Sequence, residues 1–179
     1  MRAELNRARD LARIPVKTAA GEVFLSPGGQ SPLIKEIVEQ FAPRFVPGAT
    51  LLYVGDTATK FTHYDQSAFA KLGLVFDPSE KMPDVVFHDT RRHWLVLVEA
   101  VASDGAVDGK RRMELKKLFG RYPTGLVFVT AFADKTTMRK HIADVAWETE
   151  IWLASDADHM IHLNGERFLG PYDDTKPAK

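Results

Sequence analysis

The sequence predicts a mixed α/β fold, in which one β-sheet is flanked by helices. Short apolar runs at 50–56, 94–101 and 124–132 are typical of strands buried in a sheet. Segments with apolar residues at helical spacing, at 33–41 and 110–119, stand among these runs. This alternation favours a mixed sheet with helices on its faces, and 179 residues suffice for one core of ordinary size.

The first half of the chain is expected to supply one main helix. Residues 1–20 carry alternating charges, which predicts a polar, partly helical lead-in arm. Ser31 and Pro32 fit the N-cap and first position of the helix, and Pro43 marks its predicted end. The other elements expected here are a buried strand at 50–56, a short helix at 66–72 and a brief extended segment at 74–76.

The central unit is predicted to be a β-hairpin, with strands at 84–88 and 94–101 around a turn at 89–92. The elements expected after it are a helix at 110–119, strands at 124–132 and 150–153, a helix at 136–147 and a hairpin over 159–168 that turns at Asn164-Gly165. We expect one domain over 21–173 and a loose tail over 174–179.

Composition excludes several classes of protein. The chain has no cysteine, which rules out disulfides and thiolate metal sites. No apolar run approaches the roughly 20 residues of a membrane span, and the N-terminus lacks the apolar segment of a signal peptide, so we expect a cytoplasmic protein that contacts no membrane. The 24 Lys and Arg residues balance 24 Asp and Glu residues, so net charge alone does not indicate nucleic-acid binding.

A pair of acidic residues on the central hairpin carries the strongest chemical signal. Asp84 begins one strand and Glu99 lies near the end of the next, so a turn near Arg91 and Arg92 would place them opposite each other. Opposed carboxylates repel unless one is protonated or a cation lies between them, and Mg²⁺ commonly binds one or two carboxylates together with waters and phosphate oxygens. Spacing alone leaves open the simpler alternatives, a capping Asp and a Glu exposed at the sheet rim.

Several longer motifs resemble a known family. The segment 82–119 contains EAV followed by GAVDGKR, and WETEIW and NGERFLGPY come later in the chain. Together with LSPGGQSPLIKEIVEQFAPRF (25–45), LLYVGDTATK (51–60) and GLVFVTAF (125–132), these segments are similar to the BsuBI/PstI family of type II restriction endonucleases. The similarity extends from about residue 22 to residue 173.

The resemblance implies a PD-(D/E)XK nuclease-like fold, Mg²⁺ as cofactor, and cleavage of double-stranded DNA at a short palindromic site. It also implies a homodimer and a companion DNA methyltransferase. Asp84 is then the acid of the PD element, and Glu99 is the acid of the (D/E)XK element. Val101 stands where that motif has its lysine, so we expect the catalytic lysine to be replaced, first by Lys110 and second by Lys60.

Further residues are candidates for metal and DNA contacts. Asp56 ends a predicted strand, and it is a third metal-ligand candidate or an ordinary turn residue. The residues expected to contact DNA are Lys60, Arg91, Arg92, Arg111, Arg112 and Lys116, with solvent-exposed side chains as the alternative.

Two features keep a second function open. Family enzymes usually carry an additional N-terminal region, and this sequence begins only about 20 residues before the similarity, as an excised domain, a split gene product or a degenerate remnant would. The lysine of the motif is also absent. The alternative is therefore a catalytically silent nuclease fold that binds DNA or a partner, although the retained acids favour an active enzyme.

Overall fold

A computed structural model describes residues 12–56, 60–77, 79–102, 106–123 and 125–163. The strands in these ranges are β1 (Ile14–Thr18), β2 (Gly21–Leu25), β3 (Thr50–Asp56), β4 (Lys60–Tyr64), β5 (Val85–Asp89), β6 (Trp94–Val101), β7 (Gly125–Phe132), β8 (Thr149–Leu153) and β9 (Met160–Leu163). The helices are α1, made of three consecutive segments (Ser31–Glu36, Ile37–Phe41 and Ala42–Phe45), α2 (Gln66–Lys71), α3 (Gly109–Phe119) and α4 (Lys135–His141), with a short 3₁₀ turn at Ala154–Asp156.

Seven of these strands form one mixed sheet in the order β4-β3-β5-β6-β7-β8-β9, and β1 pairs with β2 outside it. β5 and β6 form the predicted antiparallel hairpin, in which Val85 faces Val98 and Asp89 faces Trp94. β6, β7 and β8 run parallel, and α3 and α4 supply the crossovers that parallel neighbours require. The mixed α/β sheet predicted from the sequence is therefore confirmed.

The side chains of the sheet divide between two layers. On one face Val54, Val96 and Val98 pack with α1, β1 and β2, and this face is called the α1 face below. On the other, Leu97 and Val86 pack with Leu115 of α3, and this is the α3 face. In the described ranges no helix is both long enough and apolar enough to cross a bilayer.

Helix α1 continues past its predicted end at Pro43. Residues Ile37–Phe41 form a π-helical turn, in which the N–H of Ala42 donates to the carbonyl of Ile37, and the helix then runs to Phe45. A proline inside a regular α-helix removes one hydrogen bond and clashes with the preceding turn. The wider π turn shifts the bonding pattern just before Pro43, so the helix passes through the proline.

Three short strands were missing from the prediction. β1 lies within the expected lead-in arm of residues 1–20, yet Val16 on β1 is fully buried on the α1 face, so this part of the arm belongs to the folded layer. β2 and β4 were also not predicted. Each has only five residues, with an irregular pattern of polar positions. Residues 1–11 and 164–179 lie outside the described ranges, including the predicted turn at Asn164-Gly165 and the predicted tail.

Helix α4 is shorter than the predicted 136–147, because it ends at His141. Beyond it the N–H of Ala146 donates to the carbonyl of Val107, which draws the chain away from the helix axis. Glu148 then takes a positive φ of 60° directly before β8 begins. The expected segment at 74–76 forms no strand, although Leu74 is buried and Phe76 packs beside it on the α3 face.

The tip of the central hairpin is organised by one buried carboxylate. Asp89 is 1% exposed, and its Oδ1 accepts the backbone N–H groups of Arg91 and Arg92 at 3.0 and 3.3 Å. Its Oδ2 accepts Nη1 of Arg92 at 3.0 Å, and the Arg92 guanidinium lies over the Trp94 ring. The two arginines at the tip therefore belong to a local network that fixes the turn.

Replacing Asp89 by Ala is expected to lower the free energy of unfolding by about 2 kcal/mol, because two turn N–H groups and one guanidinium lose a buried acceptor. Asp77→Ala is the matched control, since Asp77 also accepts backbone and side-chain donors two residues ahead but is exposed. Urea denaturation measures both. Equal stability losses in the two variants would contradict the role given to burial of Asp89.

Candidate active site

Asp84 and Glu99 meet at one end of the central hairpin, on the α3 face. Asp84 directly precedes β5, and continuing the pairing of Val85 with Val98 by one residue places it opposite Glu99. Oδ2 of Asp84 accepts the backbone N–H of Ala100 at 2.7 Å, which holds this side chain across β6. Each carboxyl group lies close enough to influence the ionisation of the other. The opposed arrangement expected from the sequence is thus present.

Burial and mutual repulsion make the pair hard to ionise. Glu99 is 8% exposed. Burial first, and the charge of Asp84 second, raise the pKa of Glu99 to about 8, although Arg111 opposes the shift. Burial also raises the pKa of Asp84, against the effects of the Ala100 N–H and Arg111. In the absence of a cation we therefore expect the pair to retain one proton near neutral pH.

Arg111, in the first turn of α3, is a cation that reaches this pair. Its Nε and Nη2 lie 2.7 and 2.6 Å from Oε1 of Glu99. Asp108 caps the helix through a 2.6 Å bond from the Arg111 N–H to its Oδ1, and so fixes where that turn begins. Arg111 was predicted to contact DNA, and this ion pair was not expected from the sequence.

The candidates for the motif lysine lie elsewhere. Lys110 points away from the acids, with a side chain 84% exposed and its Nζ 4.0 Å from Glu114. Val101, at the motif position, is fully buried against Phe132 and Ile151. The side chain of Lys60 lies outside what the structure describes. Neither lysine is thus shown at the acid pair.

Asp56 ends β3 beside the pair but turns toward the other layer. Its Oδ2 accepts a hydrogen bond from Oγ of Ser26, the residue that follows β2, at 2.9 Å. Among the described residues, no three His, Asp or Glu side chains lie close enough to hold one metal ion. The structure thus brings Asp84 and Glu99 together without adding Asp56 as a third acidic group.

Two neighbours of the pair were not anticipated. Tyr53 is 4% exposed; burial, followed by the charges of Asp84 and other neighbours, raises its pKa to about 12, so it stays a neutral phenol beside the acids. The N–H of Gly55 donates to the carbonyl of Asp84 at 2.7 Å. A Cβ at position 55 would lie 3.4 Å from that oxygen, which is close to an ordinary van der Waals contact.

The loop before α1 supports the back of the site. Nε2 of Gln30 donates to the carbonyl of Ala100 at 3.0 Å, and Oγ of Ser31 donates to the carbonyl of Ser26 at 2.7 Å. Since Ala100 also binds Asp84, this loop is tied to the backbone that holds the acid. Ser31 therefore serves the loop, and Gln30 takes the N-cap position of α1 without a side-chain cap bond.

The residues predicted to contact DNA separate into two groups. Lys116 is exposed on the outer side of α3, where Lys110, Lys117 and Arg121 are exposed as well. Arg112, by contrast, pairs with Glu148 and lies over the ring of Phe128. α3 thus presents lysines outward and directs its two arginines into the protein.

Arg91 and Arg92 lie at the opposite end of the hairpin from the acids. Glu99 lies five positions after Trp94 along β6, which corresponds to about 17 Å at the usual strand rise. The structure therefore does not bring these arginines to the acid pair. Their role in binding DNA stays a prediction.

Comparison with known proteins identifies the family of this chain. The sequence profile described as the BsuBI/PstI restriction endonuclease domain matches residues 14–166. The chain belongs to this family. It is 47% identical over 168 residues to the type II restriction enzyme BsuBI of Bacillus subtilis, covering 93% of this chain and 53% of that protein. It is 32% identical over 169 residues to the type II restriction enzyme AplI of Arthrospira platensis, covering 90% and 52%.

The fold agrees with the same family. The solved structure of the SdaI restriction endonuclease matches with a TM-score of 0.84 and 50% identity, over 96% of this chain and 54% of that one. The restriction-endonuclease fold expected from the resemblance is therefore confirmed. The chain spans about half the length of the BsuBI/PstI-family relatives that it matches.

Proposed function

We propose that this chain carries the catalytic part of a Mg²⁺-dependent type II restriction endonuclease, which hydrolyses double-stranded DNA at a short palindromic site. The observation that carries the proposal is the buried, opposed pair Asp84 and Glu99 within a BsuBI/PstI-family fold. Action as a cytoplasmic homodimer, beside a companion methyltransferase that protects host DNA, belongs to the same proposal.

The chemistry of the pair fits a divalent cation. Two carboxyl groups that retain a proton because of burial and repulsion ionise together once a cation compensates them. The set contains oxygen atoms only, and two carboxylates leave coordination positions for water and phosphate, which suits Mg²⁺ better than a metal that prefers nitrogen or sulfur. Bound there, Mg²⁺ would polarise the phosphate and activate water.

The protein's own groups prepare this site. Asp84 is oriented by the N–H of Ala100, and Glu99 is oriented by Arg111. Tyr53 and the surrounding apolar residues of the α3 face limit the access of water, which strengthens electrostatic interactions at the acids. The outward lysines of α3 form an exposed basic surface on the helix that carries Arg111, and this surface would contact DNA phosphates.

The alternative is a catalytically silent protein that binds DNA or a partner. The buried Val101 favours it, because no lysine can project from that position of the motif. The intact acid pair favours the enzyme, since a protein without catalysis gains no stability from burying two repelling carboxyl groups.

Incubation of supercoiled plasmid DNA with the full chain and MgCl₂ tests the proposal. We expect discrete fragments whose ends all fall within one short palindrome, and EDTA should abolish cutting. Sequencing of the ends measures this directly. DNA binding without cleavage across a range of salt, Mg²⁺ and Mn²⁺ concentrations would favour the silent alternative.

A further inference from the structure

The guanidinium of Arg111 is mostly buried, and its N–H groups are engaged by acceptors within the protein. Its side chain is 18% exposed, whereas that of the neighbouring Lys110 is 84% exposed. Besides the two contacts with Glu99, Nη1 donates to the carbonyl of Lys81 at 3.2 Å and Nη2 donates to the carbonyl of Met82 at 3.0 Å. Nη1 also lies 3.5 Å from Glu114.

These contacts leave little capacity for a DNA phosphate. A guanidinium has five N–H donors in a rigid fork, and the contacts with Glu99, Lys81 and Met82 engage all three of its nitrogen atoms. A phosphate contact would require Arg111 to abandon Glu99 or the two carbonyls. The burial and the partners of Arg111 therefore favour a role within the site over a role in gripping DNA.

The partners of Arg111 connect the three parts of the site. Glu99 lies on β6, Lys81 and Met82 lie on the segment that leads into Asp84, and Arg111 itself lies on α3. One planar group thus fixes the direction of the Glu99 carboxyl and the course of the backbone two residues before Asp84. Its Nε and Nη2 both contact Oε1 of Glu99.

We propose that Arg111 is a positioning residue, which holds Glu99 and the segment before Asp84 in the geometry that binds the divalent cation. This inference rests on the proposed function, because it concerns the same site. It reassigns Arg111 from the DNA-binding group, and it supplies a fixed cation at the acid pair of a chain whose motif lysine is replaced by Val101.

Isothermal titration calorimetry of the metal-free full chain with Mn²⁺ at pH 8.5 distinguishes two roles for Arg111. In one role it positions the acids, and in the other it acts only as a nearby positive charge. If Arg111 acted only as a charge that competes with the metal, Arg111→Ala would bind Mn²⁺ more tightly. Positioning predicts the opposite, with affinity weaker by roughly 10- to 100-fold, as for other residues that orient metal ligands. Arg139→Ala removes an exposed arginine of α4 and is the matched control, so it should bind Mn²⁺ like the wild type.

Kinetics supply a second readout. With an oligonucleotide substrate, Arg111→Ala should lower kcat and leave KM for DNA unchanged, and Arg111→Lys should fall between Ala and wild type, because lysine keeps the charge but lacks the fork. A raised KM with unchanged kcat and unchanged Mn²⁺ affinity would instead assign Arg111 to DNA contact and overturn the proposal.

Two further controls keep the outcome decisive. If circular dichroism shows that Arg111→Ala does not fold, Arg111→Lys decides, since wild-type kcat and Mn²⁺ affinity in that variant would overturn the proposal. If the wild type binds Mn²⁺ but does not cleave DNA, the proposed function fails, while the Mn²⁺ comparison still tests Arg111. Absence of Mn²⁺ binding in the wild type would remove both proposals.

Discussion

Asp84→Asn and Glu99→Gln should each lower the rate of DNA cleavage by about three orders of magnitude or more. Each change keeps the size of the side chain but removes one of the two carboxylates that face each other across β5 and β6. Metal ions contribute several kcal/mol to transition-state stabilisation, and each 1.36 kcal/mol corresponds to a tenfold change in rate. Single-turnover cleavage of a duplex oligonucleotide in saturating Mg²⁺ measures the loss.

Glu114→Gln is the matched control for these variants. Glu114 is an acid on α3, close to Arg111, but its side chain is 44% exposed and it does not contact Asp84 or Glu99 in the described structure. We expect cleavage within about threefold of wild type, because exposed ion pairs contribute little. Near-normal activity in Asp84→Asn or Glu99→Gln would show that the acid pair is not the catalytic centre.

The Mg²⁺ concentration that the protein needs for cleavage should depend strongly on pH. Since burial and Asp84 raise the pKa of Glu99 to about 8, one proton must leave before both acids can hold a cation. The Mg²⁺ concentration for half-maximal cleavage should therefore fall roughly tenfold per pH unit between about pH 6 and pH 8, and level off above that. Cleavage rates measured across a grid of pH and Mg²⁺ concentration test this. A half-maximal concentration independent of pH would contradict it.

The raised pKa of Glu99 should also make the stability of the metal-free protein depend on pH. The unfolded chain releases the Glu99 proton near the ordinary pKa, whereas the native state keeps it up to about pH 8. The native state thus binds more protons across this window, so the free energy of unfolding should fall as pH rises through it. Glu99→Gln should flatten that slope. Urea denaturation in EDTA at a series of pH values compares the two proteins.

The central hairpin could be predicted from the sequence because the features that specify it are local. The apolar run of β6 and the short strand after Pro83 fix two strands, and a tight turn then sets the register that places Asp84 opposite Glu99. The family motifs pointed to the same residues. Strands β1, β2 and β4 escaped prediction, since five residues with an irregular pattern acquire strand structure mainly by pairing.

The helical periodicity of α3 places Arg111 on the buried face of the helix. Leu115 and Phe119, four and eight residues later, are fully buried, so Arg111 continues the inward stripe of α3. Lys110 is one position off that stripe and points outward. The helical spacing therefore favoured the arginine over the lysine as the cation near the acids. Its partners Lys81 and Met82 lie about 30 residues earlier, and no local pattern indicates them.

By itself, the amino-acid sequence determined the α/β class, the central hairpin, the two opposed acids and the family. Only the tertiary structure decided which cation accompanies those acids, that Asp56 turns toward Ser26, and that Arg91 and Arg92 lie at the far end of the hairpin. The physical reason is distance along the chain. Periodicity and turn chemistry act over a few residues, whereas contacts between α3, β6 and the segment before β5 arise only when the layers pack together.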